Sequence, residues 1–265
     1  MRTLPWELRK LVAQSRVRAA FVVCLLAPAA VALVLSVQSG LPKDTLFGRH
    51  VLTSGFALPL VLLSFCALWV FPLLAGLVAG EVFAGEDAHG TWPALLTRGR
   101  TRGEVFTGKL VAACLVPVAL LATAALSSLA AGVALAGREP LVSLSGSTLG
   151  PGRAAVLVLL SWATAVPPLL GFCALAVLLS VVSRSTVVGV AGPALLGLVM
   201  QLLSLLGSLG TSSNALLTTP FLAWRGLVRE DAYYGPLWQG ALVSLGWAVA
   251  CLVPARLVLL RRDVS

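Results

Sequence analysis

Gly103, Gly108 and Lys109 stand at the G-x-x-x-x-G-K spacing of a phosphate-cradling loop, in which backbone N–H groups wrap the phosphates and the lysine reaches the terminal ones. The next residue is Leu110, so the Ser or Thr hydroxyl that would hold magnesium is missing, and an apolar helix with no preceding strand is the wrong setting. Nucleotide binding is not expected at this loop. His50 and His89 are too far apart to share a metal by the topology argued below. The five cysteines, Cys24, Cys66, Cys114, Cys173 and Cys251, all fall in apolar stretches at spacings too wide for a C-x-x-C site, and read as small packing residues. Serines are plentiful, but the last apolar stretch has no His, Asp, Glu or Lys, so an intramembrane protease lacks its base. What remains is segment 81–109, where Glu81, Glu86, Asp87 and Glu104 meet Arg98, Arg100, Arg102 and Lys109. Its chemistry is ion pairing. The carboxylates are expected to pair with Arg98 or Arg102 across the turn, or else to contact a partner, while the four cations also suit headgroup anchoring.

The elements that must position this segment follow from composition. The 265 residues are 58% hydrophobic and 11% charged, with mean hydropathy +0.98, which describes no soluble protein. Charge-free stretches at 19–42, 50–80, 110–137, 154–183, 185–224 and 232–255 are each long enough for the ~20 apolar residues that cross a bilayer. Soluble enzymes, disordered chains and secreted disulfide scaffolds are excluded. The expected fold is an all-α membrane protein of six transmembrane helices, at 19–38, 56–80, 109–136, 154–182, 186–210 and 237–260. The first of these is too long for a signal-peptide core and has no clear cleavage site before Lys43.

Six spans place both termini on one side. Arg2, Arg9, Lys10, Arg16, Arg18, Arg98, Arg100, Arg102, Lys109, Arg184, Arg256, Arg261 and Arg262 fall on that side, against Lys43, Arg49, Arg138, Arg153, Arg225 and Arg229 on the other. The excess marks the termini as cytoplasmic. The net charge of +9 therefore orients the chain and meets anionic lipid, and it forms no continuous patch for nucleic acid. Residues 1–18 form a separate unit before the six-span body 19–265: Leu4, Leu8, Leu11 and Val12 share one helical stripe, as in an interfacial helix lying along the inner leaflet.

Local rules divide 81–109 further. Gly90 frees a turn, Thr91 can cap a short helix with Pro93 in its first turn, and Thr101 with Glu104 forms a capping box that opens the third span. Prolines at 28, 59, 72, 117, 167, 168, 193 and 254 can bend their spans, and Gly76 with Gly80 allows a close helix approach.

Glu86, Asp87, Gly90, Thr91, Trp92, Leu95, Leu96, Thr97, Arg98, Arg102, Phe106, Gly108 and Lys109, at this spacing, resemble the cytoplasmic signature of type-two ABC exporter permeases, the stand-alone six-span bacterial kind. The match departs at Gly99, Arg100 and Thr101, where relatives often carry a Pro-Val-Ser-like tripeptide. The resemblance implies a cytoplasmic coupling helix between spans two and three that docks on a separate ABC ATPase, with Leu95 and Leu96 as apolar knobs. It implies that ATP and magnesium sit on that ATPase and no cofactor on this chain, that a second permease copy completes the assembly, and that the chain resides in the bacterial inner membrane. It further implies that the external connection 211–236 dips into the outer leaflet, with Pro220, Phe221 and Trp224 helping to close an outer gate. A general rule gives a plainer alternative, because aromatics flanked by arginine belong at a membrane interface.

No charge occupies the middle of any span, whereas ion-coupled carriers usually keep an ionisable group at depth. Energy is therefore expected from outside the membrane domain, and the substrate is expected to be apolar or amphipathic. A membrane anchor or assembly factor for an extracytoplasmic enzyme is the alternative of another class.

Overall fold

The computed structural model describes residues 4–37, 47–90, 101–143, 146–205, 210–228 and 233–261, nearly all of them helical. The helices are α1 (Leu4–Ala13), α2 (Ser15–Val37), α3 (Ala57–Leu68), α4 (Val70–Ala79), α5 (Ala84–Ala88), α6 (Arg102–Ala136), α7 (Pro151–Ala163), α8 (Val166–Ser183), α9 (Thr186–Leu205) and α10 (Gly235–Arg261). A small antiparallel hairpin pairs Leu141 with Leu149 and Val142 with Thr148, and 3-10 turns occupy Gly210–Ala215 and Thr219–Gly226. Among the described residues, five helical segments are long and apolar enough to cross a membrane, or six when the bent pair α3 and α4 counts as one span.

That second span departs from the single helix expected over 56–80. It breaks by 58° at Trp69. Pro72 has no N–H to offer the carbonyl of Leu68, so the first turn of α4 cannot continue α3. The Pro167-Pro168 pair acts similarly on the fourth span, denying donors to Ala163 and Thr164 and separating α7 from α8 by a short turn. The fifth span is helical over Thr186–Leu205, and the stretch 206–209, up to its expected end at 210, lies outside the described residues.

α1, α5, the start of α6 and the end of α10 gather at one end of the bundle, here the proximal end. The hairpin, Ser54 and the 3-10 turns lie at the distal end, where Ser54 Oγ donates to the carbonyl of Glu139 at 2.9 Å. At the proximal end Arg184 takes φ 56°, the left-handed turn that stops α8 and lets α9 begin. The gap between the expected spans 154–182 and 186–210 is thus a helix-to-helix corner.

α4 and α9 touch through backbone. A Cβ on Gly76 would lie 2.1 Å from the Val190 carbonyl oxygen, and one on Gly80 would lie 2.1 Å from that of Gly189. Without water to drive apolar association, such close approach is what holds helices together in lipid. Gly80→Val is therefore expected to destabilise the bundle by about 1–3 kcal/mol through overpacking. A midpoint unchanged from the parent in detergent unfolding would count against this contact.

Candidate functional site

The proximal end is built on one buried ammonium. Lys109 lies at the start of the third turn of α6 and is 1% exposed. Its Nζ donates to Glu86 Oε1 at 2.7 Å and to Glu7 Oε2 at 3.1 Å. Glu86, on α5, also accepts from Lys10 of α1 at 2.5 Å, and Arg16 at the start of α2 pairs with Glu81. Three elements remote in sequence are joined by charge. With Lys109 shared between two carboxylates and Lys10 added at the rim, the clasp is neutral, which is what permits ions at this depth. A cavity of about 60 Å³ adjoins it, bounded by Leu11, Gln14, Gly85 and His89 as well as the charged groups.

Each member is held by its own element. The capping box sets the start of α6: Thr101 Oγ1 accepts from the Glu104 N–H at 3.2 Å, and Glu104 Oε2 from the Thr101 N–H at 3.1 Å. Phe106, one turn on, packs its ring 5.4 Å from that of Phe83, which fastens the approach to α5 onto α6. The Ala84 N–H donates to Ser180 Oγ at 2.9 Å, tying the same stretch to α8. His89 Nδ1 meets the Gly85 carbonyl at 2.7 Å, a turn contact, and Gly90 then reverses the chain with φ 59°.

Several expectations change. Lys109 is not a headgroup anchor but the centre of the clasp. Glu86 pairs with Lys109 and Lys10, and Glu81 with Arg16, cations that the expected pairing with Arg98 or Arg102 did not include. Arg102 donates to the carbonyl of Leu260 at 3.3 Å, closing the C-terminal end of α10. In α1 the side facing the bundle carries Glu7 rather than Val12, which is 46% exposed, while Leu4, Leu8 and Leu11 face inward as expected. Asp87 is half-buried beside Glu86. Thr91, Trp92, Leu95, Leu96 and Arg98, with the short helix expected over 91–97, lie outside the described residues.

At the distal end, Pro220, Phe221 and Trp224 sit in the 3-10 turn Thr219–Gly226 and are buried. Phe221 and Trp224 are each 0% exposed, which overturns the interfacial placement for this pair. Phe221 stacks on Phe172 of α8 at 5.9 Å and meets Phe71 of α4 at 5.6 Å, while Trp224 lies 6.2 Å from Phe47. Tyr233 and Tyr234, on the same connection, are 60% and 57% exposed and do suit an interface. The turn is a plug seated in the bundle.

Sequence reasoning missed Glu7, Lys10, Ser180, Phe71 and Phe172. A signal existed only for Glu7, a lone acid at helical spacing between Leu4 and Leu11 on an otherwise apolar stripe.

Against known proteins, no curated protein matches the chain closely enough to count as a relative. The family described as "ABC-2 family transporter protein" matches residues 3–204, a stretch that runs from α1 through α9 and contains the whole clasp. With the multi-pass helical bundle, this match makes the chain a member of the ABC-2 transporter family, a type-two ABC permease.

Proposed function

We propose that the chain is the permease subunit of an ATP-driven exporter in the bacterial inner membrane, with its termini in the cytoplasm. Two permease copies enclose the pathway, and a separate cytoplasmic ABC ATPase, which holds ATP and magnesium, supplies the energy. The substrate is apolar or amphipathic, in keeping with spans whose centres carry no charge.

The observation that supports this reading best is the fastening of segment 81–109. Glu86 and Lys109, on either side of the stretch between Gly90 and Thr101, are locked to each other and to α1 by buried ion pairs. A push delivered on 91–100 then reaches α4, α6 and α1 together, because none of these can yield without separating buried charges. Leu95 and Leu96 are the proposed knobs for the ATPase groove, and Arg98 with Asp87 the flanking polar contacts.

The reading is tested by co-expressing the chain with an ABC ATPase encoded beside it. Leu95→Asp with Leu96→Asp is expected to remove the ATPase from the purified complex while insertion into the membrane stays at the parent level. Undiminished co-purification would sink the docking assignment, and transport by vesicles that hold this chain without any ATPase would sink the exporter reading itself.

A further inference from the structure

We infer that Phe71 is the positioning residue through which movement of segment 81–109 reaches the distal plug, with α4 and α9 acting as one lever that turns about Trp69. This deepens the exporter reading above and rests on it for the source of the movement.

The geometry begins with length. α4 has 10 residues, about 15 Å at 1.5 Å per residue, which is half the thickness of a bilayer core. Its C-terminal end runs directly into the clasp segment, so Phe71, next to its N-terminal end, stands near mid-depth. The plug therefore reaches far into the bundle to meet it, filling the space left where the second span breaks.

α4 is stiffly tied at one side and free to turn at one end. Gly76 and Gly80 abut Val190 and Gly189, and Gly197 allows α9 to close on Pro72, whose side chain would lie 3.3 Å from a Cβ added there. The two helices thus cannot slide apart without losing backbone contact along most of α4. At Trp69 no such tie exists, since Pro72 leaves the Leu68 carbonyl without its helical donor.

Phe71 spans that joint. On one side it meets Trp162 edge-on at 6.0 Å, and the Trp162 Nε1–H is fixed to the carbonyl of Pro59 on α3 at 3.1 Å. On the other side it meets Phe221 of the plug. Any change in the 58° bend alters the position of Phe71 relative to Trp162 and must displace Phe221.

The plug is also seated so that it can leave. Among the described residues, Trp224 Nε1 and Thr218 Oγ1 are buried without hydrogen-bond partners, so these two side chains add packing but no hydrogen bond to the seat. Burying an unpaired donor is unfavourable, and exposure on opening would hydrate both groups, offsetting part of the apolar area that the rings expose.

The test reads the plug directly. In a background with the five native cysteines replaced by alanine, Ala223→Cys places a thiol on the plug at a position only 6% exposed. Its modification by a membrane-impermeant maleimide is followed in proteoliposomes containing this chain alone. Phe71→Ala, and separately Pro72→Ala, which restores the missing N–H and relaxes the bend, are each expected to raise the labelling rate about tenfold or more. Phe71→Leu, which keeps most of the packing, is expected to stay within about twofold of the parent. Parent-like rates in both Phe71→Ala and Pro72→Ala overturn the lever, and Pro72→Ala decides it alone if Phe71→Ala does not fold. With the ATPase present, parent labelling is expected to respond to ATP turnover and that of Phe71→Ala to ignore it. A parent response to ATP with an equal response in Phe71→Ala also overturns the lever, whereas a parent that ignores ATP removes the exporter reading and leaves the ATP-free comparison to judge the joint.

Discussion

Lys109→Met is expected to lower the stability of the protein by about 3–5 kcal/mol, because it leaves Glu7 and Glu86 buried, facing each other without their shared counter-ion. Lys10 cannot substitute, since its side chain is 41% exposed and reaches only Glu86. The same reasoning predicts a rescue. Adding Glu7→Met and Glu86→Met to Lys109→Met removes the unpaired charges, and replacing a buried ion cluster by apolar groups of similar volume is close to neutral for stability. The triple variant should recover most of the loss in a chemical unfolding series in detergent. It should nevertheless bind the ATPase with less effect on transport, because apolar side chains hold α1, α5 and α6 in register less strictly than the ion pairs do. A single variant as stable as the parent, or a triple variant as unstable as the single one, would show that the clasp does not carry this energy.

The clasp also shows where reading the sequence stops. Many features set by neighbours along the chain were legible: the charge-free spans, the capping box of Thr101 and Glu104, the turn at Gly90, the corner at Arg184 and the small-residue pair Gly76 and Gly80, though the hairpin of Leu141–Val142 with Thr148–Leu149 was not. The pairing of Glu7 with Lys109 was not, because 102 residues separate them and several nearer cations competed for the acids of segment 81–109. Pro72 signalled a bend, yet nothing local showed that the bend would amount to a break at Trp69 rather than a gentle curve. The distal connection misled for a chemical reason. Trp and Tyr flanked by arginine are equally at home at a membrane surface and in an apolar seat, and only the facing rings of Phe71 and Phe172, supplied by two other spans, decide for burial. Within one connection Tyr233 and Tyr234 are exposed while Trp224 is buried.

Trp224 allows the two halves of its side chain to be separated. Trp224→Ala opens a void between Phe47 and the plug backbone, and deleting a fully buried Trp is expected to destabilise by about 3–5 kcal/mol. Trp224→Phe removes less volume and also removes the indole N–H that finds no partner among the described residues. Burying such a donor costs about 1–3 kcal/mol, comparable with the packing lost in going from indole to benzyl. The Phe variant should accordingly be as stable as the parent or slightly more so, in contrast to the Ala variant, when both are unfolded in parallel. Its effect on function should run the other way: a plug that gains no hydration on leaving its seat opens less readily, so transport should fall while ATPase association is unchanged. A Phe variant that loses as much stability as the Ala variant would mean that the indole N–H has a partner after all, and the seat would then be fastened by a hydrogen bond instead of by the packing of its rings.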